Sequence, residues 1–285
     1  MKRRDLIFGS LAAGMLSRAA RADTRAELES IEQRLSARIG VYAENLRTGQ
    51  AFEHRPDERF AMCSTFKASL AALCLSRSDQ GQLDLDERLA FGGTEILPTS
   101  PVTQNNLAAG SMSISDLCQA IIEYSDNTAA NLLLTHIGGP AAMTQFFRDI
   151  GDTTSRLDRV ELALNSNTEG DERDTTSPRA MARTLSQLTM SANVLSDQSR
   201  ARLIQWMRNE QNGRNRIRAA VSGDWTVGNK PGTSSNGAAN DIAVLWSPDG
   251  IPFVVTVFID AERGRTREAV GSIREVAGLA LDMVA

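Results

Sequence analysis

The sequence predicts a two-lobed α/β fold, with an antiparallel sheet flanked by the terminal helices and an all-α lobe inserted between its strands. Three observations predict it: β-type segments lie near both ends of the chain, helical periodicity fills the middle, and a helix pattern stands at each end. With 285 residues, 41% hydrophobic and 23% charged, the chain is long enough for one large domain or two packed lobes. The cleft between such lobes is where a site is expected first.

The N-terminal part predicts a helix over residues 24–37 and then a pair of strands. The strands lie around residues 40–44 and 51–53, and residues 47–49 form the turn between them. From about residue 64 to residue 210 the pattern is helical throughout, which makes this stretch the all-α lobe.

Boundary signals are clearest in the second half of the chain. Ser177 and Pro178 predict an N-cap followed by proline at the first helical position, in a helix that runs through Leu188. Residues 247–250 have the Ser-Pro-Asp-Gly composition of a turn. Three strands and a final helix are predicted at residues 225–230, 241–246, 251–260 and about 267–283.

The first 22 residues are typical of an export signal. Basic residues 2–4 precede an apolar stretch over residues 6–16, and small residues around position 20 suit a cleavage site. The apolar stretch is too short to span a bilayer. We therefore expect a soluble, exported, periplasmic protein, and the adjacent Arg3 and Arg4 are compatible with the twin-arginine route.

The mature chain, residues 23–285, is expected to form a single catalytic domain. Its α/β lobe would combine residues of about 23–60 with residues 211–285, and its all-α lobe would comprise about 61–210. Residues 1–22 hold five of the 31 basic and one of the 35 acidic residues, which leaves 26 basic and 34 acidic residues and a net charge of −8. Such a balance argues against nucleic acid or an anionic membrane as a partner.

Lysine is rare in this chain. It has 28 arginines and three lysines, and only Lys67 and Lys230 lie outside the predicted signal. Because nearly every other cation is arginine, these two positions are expected to need a compact ammonium or a titratable amine. The alternative is chance retention of two surface lysines, which their sequence neighbourhoods argue against.

Histidine and cysteine contribute little to the prediction of a site. With only His54 and His136, a histidine-rich zinc site or a Ser-His-Asp triad is not favoured. No Gly-x-Ser-x-Gly elbow occurs either, so a base other than histidine is expected. The cysteines are odd in number, and the sequence leaves a disulfide between Cys74 and Cys118 open.

The first motif is Ser64-Thr65-Phe66-Lys67, at the start of an apolar helix predicted over residues 66–75. A spacing of three puts Ser64 and Lys67 on one face of a helix, one turn apart. The N–H groups and dipole of the helix N-terminus would favour an alkoxide and a neutral lysine there. Taken alone, the motif also fits an N-cap serine and a solvated lysine.

Two further motifs have equally plain alternatives. Ser125-Asp126-Asn127 precedes a helix predicted over residues 128–134 and contains common N-cap residues, although Ser125 could relay a proton and Asn127 offers both donor and acceptor. Lys230-Pro231-Gly232-Thr233 follows a strand, where glycine permits close approach of a ligand and lysine supplies a cation. The order and spacing of all three motifs are far more specific than any one.

With these motifs in this order, the chain resembles the class A serine β-lactamases, among the penicillin-recognising active-site serine enzymes. The resemblance covers essentially the whole mature chain and includes segments at residues 156–165, 171–176 and 240–244. It implies the two-lobed β-lactamase/transpeptidase-like fold.

The resemblance makes residues 156–174 an omega loop, which holds Glu161 and Asn165 around a hydrolytic water. A loop of this length is uncommon inside a compact fold unless it has a function. Arg159 and Asp174 could close its ends as an ion pair.

The resemblance also implies hydrolysis of penicillin- and cephalosporin-type β-lactams through an acyl-enzyme on Ser64, which confers antibiotic resistance. Lys67, or Glu161 through water, takes the Ser64 proton, and the choice between them is disputed for the family. Ser125 protonates the leaving nitrogen, and Glu161 with Asn165 activates water for deacylation. No metal or organic cofactor is needed. The residues implied to bind substrate are Asn127, Lys230, Gly232, Thr233 and Ser235.

Four positions depart from the family pattern. Pro231 stands where a hydroxyl-bearing residue usually binds the substrate carboxylate, and Thr233 or Ser235 is expected to compensate partly. Thr99 stands where an aromatic wall often flanks the cleft. Leu162 follows Glu161 where proline is frequent, so a cis peptide there would be the costly non-proline form and trans is an alternative. Cys63 lacks the cysteine partner of carbapenem-hydrolysing relatives, because Ser234 stands there.

Two other functions share parts of this pattern. A D-alanyl-D-alanine peptidase has the same serine, lysine and Lys-x-Gly motifs but typically lacks residues arranged like Glu161 and Asn165. A slowly deacylating penicillin-binding or sensor protein is kept open by Pro231. A hydrolase acting as a monomer on small-molecule β-lactams is the reading we expect.

Overall fold

The computed structural model describes the backbone of residues 5–285 and the side chains of residues 20–285. The basic segment at residues 2–4, with its paired arginines, lies outside the described residues except for its sequence. The first helix, α1, spans Asp5–Leu35, so it begins before the predicted start at residue 24 and ends close to the predicted end. Within the described part of the chain, no helix is both long enough and apolar enough to cross a bilayer.

The strands follow the predicted clustering near the two ends of the chain. In chain order they are β1 (Ala37–Asn45), β2 (Ala51–His54), β3 (Phe60–Ala61), β4 (Arg88–Ala90), β5 (Ser111–Ser113), β6 (Thr175–Thr176), β7 (Thr226–Thr233), β8 (Ala238–Trp246) and β9 (Pro252–Ala261). The further helices are α2 (Phe66–Asp79), α3 (Pro101–Asn105), α4 (Ile114–Glu123), α5 (Asn127–Ile137), α6 (Gly139–Asp149), α7 (Pro178–Met190), α8 (Asp197–Arg208) and α9 (Thr266–Asp282).

A five-stranded antiparallel sheet, in the order β2-β1-β9-β8-β7, brings the two ends of the chain together. Strands β1 and β9 pair from Ala37–Ala261 to Asn45–Phe253. Apolar residues on one face of the sheet pack against α1 and α9, and the other face joins the core of the helical lobe through α7. The two-lobed α/β fold with terminal helices and a helical insertion is therefore confirmed.

The middle of the chain is less uniformly helical than predicted. Strands β4 and β5 pair with each other, and β6 pairs with β3. Only a short 3-10 turn, Ala163–Asn165, interrupts the loop between α6 and β6. Two- and three-residue strands are too short to show an alternating pattern, which is why the periodicity misses them.

Helix boundaries in this lobe follow side-chain caps. The Ser177 side chain accepts a hydrogen bond from the Ala180 N–H, and proline follows at the first helical position of α7, as predicted. In the second motif the cap is Asp126, whose side chain accepts from the Ala129 N–H. This leaves Ser125 just outside the helix, in the left-handed region with φ of 58°.

The three cysteines Cys63, Cys74 and Cys118 are buried free thiols. The possible Cys74–Cys118 disulfide is therefore not formed in this structure. Cys63 is unpaired, as expected from serine at position 234.

Candidate active site

A cleft of about 750 Å³ opens between the sheet and the helical lobe. Three sides contribute to its walls: the start of α2 and α5, the loop before β6, and the end of β7. Seven of the ten residues predicted from the sequence line the cleft directly: Ser64, Ser125, Asn127, Asn165, Gly232, Thr233 and Ser235. The other three, Lys67, Glu161 and Lys230, lie behind this wall with buried side chains. The structure thus brings all ten into one place.

Ser64 lies in a 3-10 turn, Cys63–Thr65, that leads directly into α2. Strand β7 crosses this turn so closely that a Cβ at Gly232 would be 2.8 Å from the Met62 carbonyl oxygen. On the other side, the Asn240 side-chain amide donates to the Ala61 and Met62 carbonyls at 2.8 and 3.2 Å. The absence of a side chain at Gly232 therefore lets β7 pack closely against the turn that carries Ser64. The sequence had suggested close approach of a ligand instead.

Lys67 is fully buried and has four oxygen neighbours. Its Nζ lies 3.1 Å from Ser64 Oγ and 2.9 Å from the Ser125 carbonyl. It also lies 2.6 Å from Asn127 Oδ1 and 2.8 Å from Glu161 Oε1. Burial lowers the pKa of Lys67, against the opposing attraction of Glu161. A lysine poised in this way can accept a proton from Ser64.

Ser125 connects the two buried lysines. Its carbonyl accepts from Lys67, and its Oγ accepts from Lys230 Nζ at 3.1 Å. Burial, with smaller effects from neighbouring cations, lowers the pKa of Lys230 to about 7. The prediction that these lysines are not surface residues is correct, since both are 0% exposed.

The loop before β6 holds Glu161 in place through its backbone and its side chain. Glu161 Oε2 accepts from the Asn165 side-chain amide at 2.7 Å, while Asn165 Oδ1 has no hydrogen-bond partner among the described residues. Asn131 of α5 bonds the Glu161 backbone at both its N–H and its carbonyl, at 2.9 and 2.8 Å. The Glu161–Leu162 peptide bond is cis.

An ion pair closes the base of this loop. Arg159 Nε and Asp174 Oδ2 lie 2.5 Å apart, and Asp174 Oδ1 accepts from the Asp158 and Arg159 N–H groups. The ion pair expected from the sequence is thus present.

The end of β7 is built around Arg216. Its guanidinium donates to the carbonyls of Gly232 and Asn240 and to Thr233 Oγ1, at 2.9, 2.6 and 2.6 Å. Pro231, beside these residues, supplies neither a hydroxyl nor an N–H. Ser235 is exposed at the rim. Arg216 and Thr233 thus supply a cation and a hydroxyl near Pro231. Partial compensation for Pro231 by Thr233 or Ser235 stays a prediction.

The opposite wall contains Asn127 and Thr99. Asn127 donates through Nδ2 to the Pro98 carbonyl at 2.8 Å while its Oδ1 accepts from Lys67, so both ends of its amide already have protein partners. Thr99, in the left-handed region with φ of 59°, lines both this cleft and a neighbouring hollow of about 500 Å³. The threonine leaves this side of the cleft open.

Sequence reasoning missed three residues that hold the site together, namely Asn131, Arg216 and Asn240. Arg216 is one of three alternating arginines, with Arg214 and Arg218, and nothing in the sequence shows which of them turns inward. Asn131 follows Asn127 by four residues on α5, so the helical repeat could have placed both side chains on one face.

Comparisons with known proteins identify the family of the chain. Residues 23–284 match the sequence profile of the Beta-lactamase enzyme family. A carbapenem-hydrolysing β-lactamase KPC from Klebsiella oxytoca is 44% identical over 253 residues, which cover 88% of this chain and 86% of the relative. A β-lactamase from Mycobacterium tuberculosis H37Rv is 47% identical over 247 residues, covering 85% of this chain and 79% of the relative.

Solved structures give the same answer for the fold. The class A β-lactamase of the last common ancestor of Gram-negative bacteria superposes with a TM-score of 0.86 at 47% identity, covering 91% of this chain and 98% of that one. A β-lactamase from Desulfarculus baarsii has a TM-score of 0.86 at 43% identity, covering 92% and 97%. The chain thus belongs to the Beta-lactamase enzyme family and is a class A β-lactamase, an enzyme that hydrolyses β-lactams.

Proposed function

We propose that Ser64 is the nucleophile and that Lys67 takes its proton during acylation. The observation that carries this is the 3.1 Å contact between Lys67 Nζ and Ser64 Oγ, made by a buried lysine whose pKa is lowered. Glu161 acting through water is the alternative base. Ser64 Oγ bonds to the lactam carbonyl carbon, the carbon–nitrogen bond breaks, and Ser125 Oγ gives its proton to the departing nitrogen. The proton that Lys67 took from Ser64 then replaces the one that Ser125 gave up. Lys230, at 3.1 Å from Ser125 Oγ, stabilises the charge that develops on it.

Deacylation is assigned to Glu161 and Asn165. Glu161 takes a proton from water, whose oxygen attacks the ester carbonyl; the bond to Ser64 Oγ breaks and the proton returns to the serine. The 2.7 Å contact between Asn165 Nδ2 and Glu161 Oε2 leaves Asn165 Oδ1 free to accept a hydrogen bond from that water. Together the two side chains place one hydrogen-bond acceptor and one base side by side.

Substrate binding is assigned to the two rims of the cleft. Lys230, Thr233 and Ser235, with Arg216, provide cationic and hydroxyl groups for the substrate carboxylate. Asn127 would contact the substrate's side-chain amide through its second amide hydrogen. The backbone N–H groups of Ser64 and Thr233, with Gly232 keeping the strand close, would form the oxyanion hole.

We further propose that residues 1–22 are an export signal and that residues 23–285 act as a single, monomeric domain in the periplasm. The twin-arginine route remains part of this proposal because of the paired arginines in the sequence. The lobes would comprise about 23–60 with 211–285, and 61–210.

The test is Glu161→Ala, followed by intact-protein mass spectrometry and absorbance with a chromogenic cephalosporin. We expect the parent to turn over without a stable adduct, and the variant to accumulate one acyl group on Ser64 while its turnover falls by about 10³-fold or more. Glu169→Ala, an exposed change in the same loop, is the matched control and should behave as the parent.

Two results would contradict these assignments. A Glu161→Ala variant that turns over at the parental rate would remove Glu161 from deacylation. A parent that itself stays acylated without turnover would place the protein with slow penicillin-binding proteins or sensors, which the comparisons do not favour.

A further inference from the structure

We infer that Asn167 is a positioning residue for deacylation, which fastens the end of the catalytic loop to the sheet and so keeps Asn165 against Glu161. The inference rests on the proposed roles of Glu161 and Asn165. It concerns a residue that no motif of the sequence singled out.

Four hydrogen bonds form a seam between residues 165–167 of the loop and the sheet. Ser234 Oγ donates to the Asn165 carbonyl at 2.7 Å, and Asn236 Nδ2 donates to the Ser166 carbonyl at 2.9 Å. In return, Asn167 Nδ2 donates to the Asn236 carbonyl at 3.0 Å and to Asp260 Oδ1 at 2.7 Å. Asn167 alone thus joins both the turn between β7 and β8 and the end of β9.

The anchor at Asp260 is firm because this carboxylate lies in β9, a strand paired on both sides. Its other oxygen, Oδ2, accepts from Arg38 of β1 at 3.1 Å. Asn167 itself has φ of 44°, a left-handed conformation in which asparagine is among the more favoured residues other than glycine. Both the backbone and the amide of this residue therefore suit the seam.

Packing contributes little around the seam, because residues 166–173 of the loop have open space behind them. A cavity of about 830 Å³ lies on the far side of the loop, bounded by residues 166–173, the start of β1 and the end of β9. Ser166 and Asn236 line both this rear cavity and the catalytic cleft. Leu164 anchors the earlier part of the loop in the apolar core, whereas residues 166–173 are half-buried or exposed. This later part therefore depends more on its hydrogen bonds than on buried apolar contacts.

The seam acts on one half of the reaction. Asn165, two residues from Asn167, holds Glu161 Oε2, so a loosened seam lets the water-activating pair move apart. Ser64 lies in the turn that leads into α2, against β7. Lys67 keeps its contacts with the Ser125 carbonyl and Asn127 Oδ1 when the loop loosens. Loss of Asn167 is therefore expected to slow deacylation while leaving acylation nearly unchanged.

The kinetic signature of such a role differs from that of a damaged fold. With saturating substrate, the ratio of acylated to unacylated enzyme equals the ratio of the acylation to the deacylation rate constant. We expect Asn167→Ala to raise this ratio about tenfold with kcat/KM, which reports acylation alone, within twofold of the parent. The measurement is rapid-quench intact-mass spectrometry on the full-length protein, together with steady-state kinetics on the same cephalosporin.

Asn236→Ala, which removes the bond to the Ser166 carbonyl from the other side, provides a second test and should change the ratio in the same direction. Asn193→Ala, at an exposed asparagine far along the chain, is the matched control. Thermal melting of each variant shows whether it is folded. If Asn167→Ala does not fold, the ratio measured for Asn236→Ala tests the inference.

An unchanged ratio in the folded seam variants overturns the inference, and so does an equal fall of kcat and kcat/KM, which indicates general damage. Glu161→Ala, measured in parallel, separates the two levels of argument. If it traps the acyl-enzyme while the seam variants do not, only the role of Asn167 fails. If Glu161→Ala also leaves the ratio unchanged, the proposed deacylation mechanism fails first.

Discussion

Lys67 and Lys230 are both fully buried, yet their surroundings differ. Lys67 faces the carboxylate of Glu161 at 2.8 Å. Among the described residues, Lys230 bonds the Ser125 hydroxyl and the Pro231 carbonyl and has no carboxylate partner. Burial lowers the pKa of each, and for Lys230 the result is about 7. Lys67 thus has a carboxylate as its neighbour, while the charge of Lys230 depends on pH near neutrality.

The pH dependence of substrate recognition should report Lys230. Because its pKa is lowered to about 7, it is an ammonium below this pH and loses its proton as the pH rises. We expect kcat/KM for a β-lactam that carries a carboxylate to fall as the pH rises through about 7, since kcat/KM reports groups of the free enzyme.

The control is the same β-lactam with its carboxylate esterified, which should show a clearly smaller fall, because only the effect of Lys230 on Ser125 remains. Lys230→Arg should move the fall in kcat/KM of the carboxylate substrate to higher pH, because guanidinium does not titrate in this range. Identical profiles for acid and ester would rule out Lys230 as the group that senses the carboxylate.

At the scale of elements, the sequence predicted the strands and helices that show a long periodic pattern or a side-chain cap. The sheet strands, α7 with its Ser177 cap, and the final helix all lie close to their predicted positions. Strands of two or three residues, such as β6, were missed because their pairing is set by tertiary contacts. Within the site, the motif residues converge as expected, while Arg216 could not be found because its burial depends on how the segment before β7 turns.

The crossing of β7 over the nucleophile turn makes Gly232 a sensitive position. An added Cβ would lie 2.8 Å from the Met62 carbonyl oxygen and 3.2 Å from Cys63 Cβ, so strand and turn must separate. We expect Gly232→Ala to lower kcat/KM by about 10²-fold, because a displacement of this kind misaligns Ser64. Steady-state kinetics measures the loss of kcat/KM, and thermal melting measures any loss of stability.

Gly271→Ala is the control for this substitution, because a Cβ there meets nothing within 4 Å. It lies in the exposed part of α9 and should stabilise the protein by about 0.5–1 kcal/mol, as alanine does over glycine in a helix. Parental activity in Gly232→Ala would show that the turn tolerates the strand at a greater distance.

For the molecule as a whole, a buried carboxyl group beneath the site affects stability. Asp241 of β8 is fully buried, and it accepts hydrogen bonds from the Asn229 amide and the Ile217 N–H. Burial raises its pKa to about 7, against opposing effects led by Arg216. The carboxyl therefore keeps its proton in the folded state over a pH range in which the unfolded chain has lost it.

This difference predicts how stability changes with pH. Between about pH 4 and 7 the folded state binds more protons at this position than the unfolded state, so Asp241 makes the free energy of unfolding decrease as the pH rises. Asp241→Asn removes this contribution, which amounts to at most about 1.4 kcal/mol per pH unit. Urea unfolding at several pH values should show the variant gaining stability relative to the parent as the pH rises from 4 to 7, and a constant difference would contradict the raised pKa.

The burial of both lysines also determines which reagents can modify this protein. Between residues 20 and 285 the folded chain presents guanidinium groups to solvent but no accessible side-chain amine. An amine-directed ester would therefore label no side chain in this part of the native protein, and it would reach Lys67 and Lys230 only on unfolding. In the mature chain that we propose, residues 23–285, the mass added beyond one label on the terminal α-amine counts unfolded molecules. A surface lysine introduced by mutation would be a unique side-chain attachment point in this range.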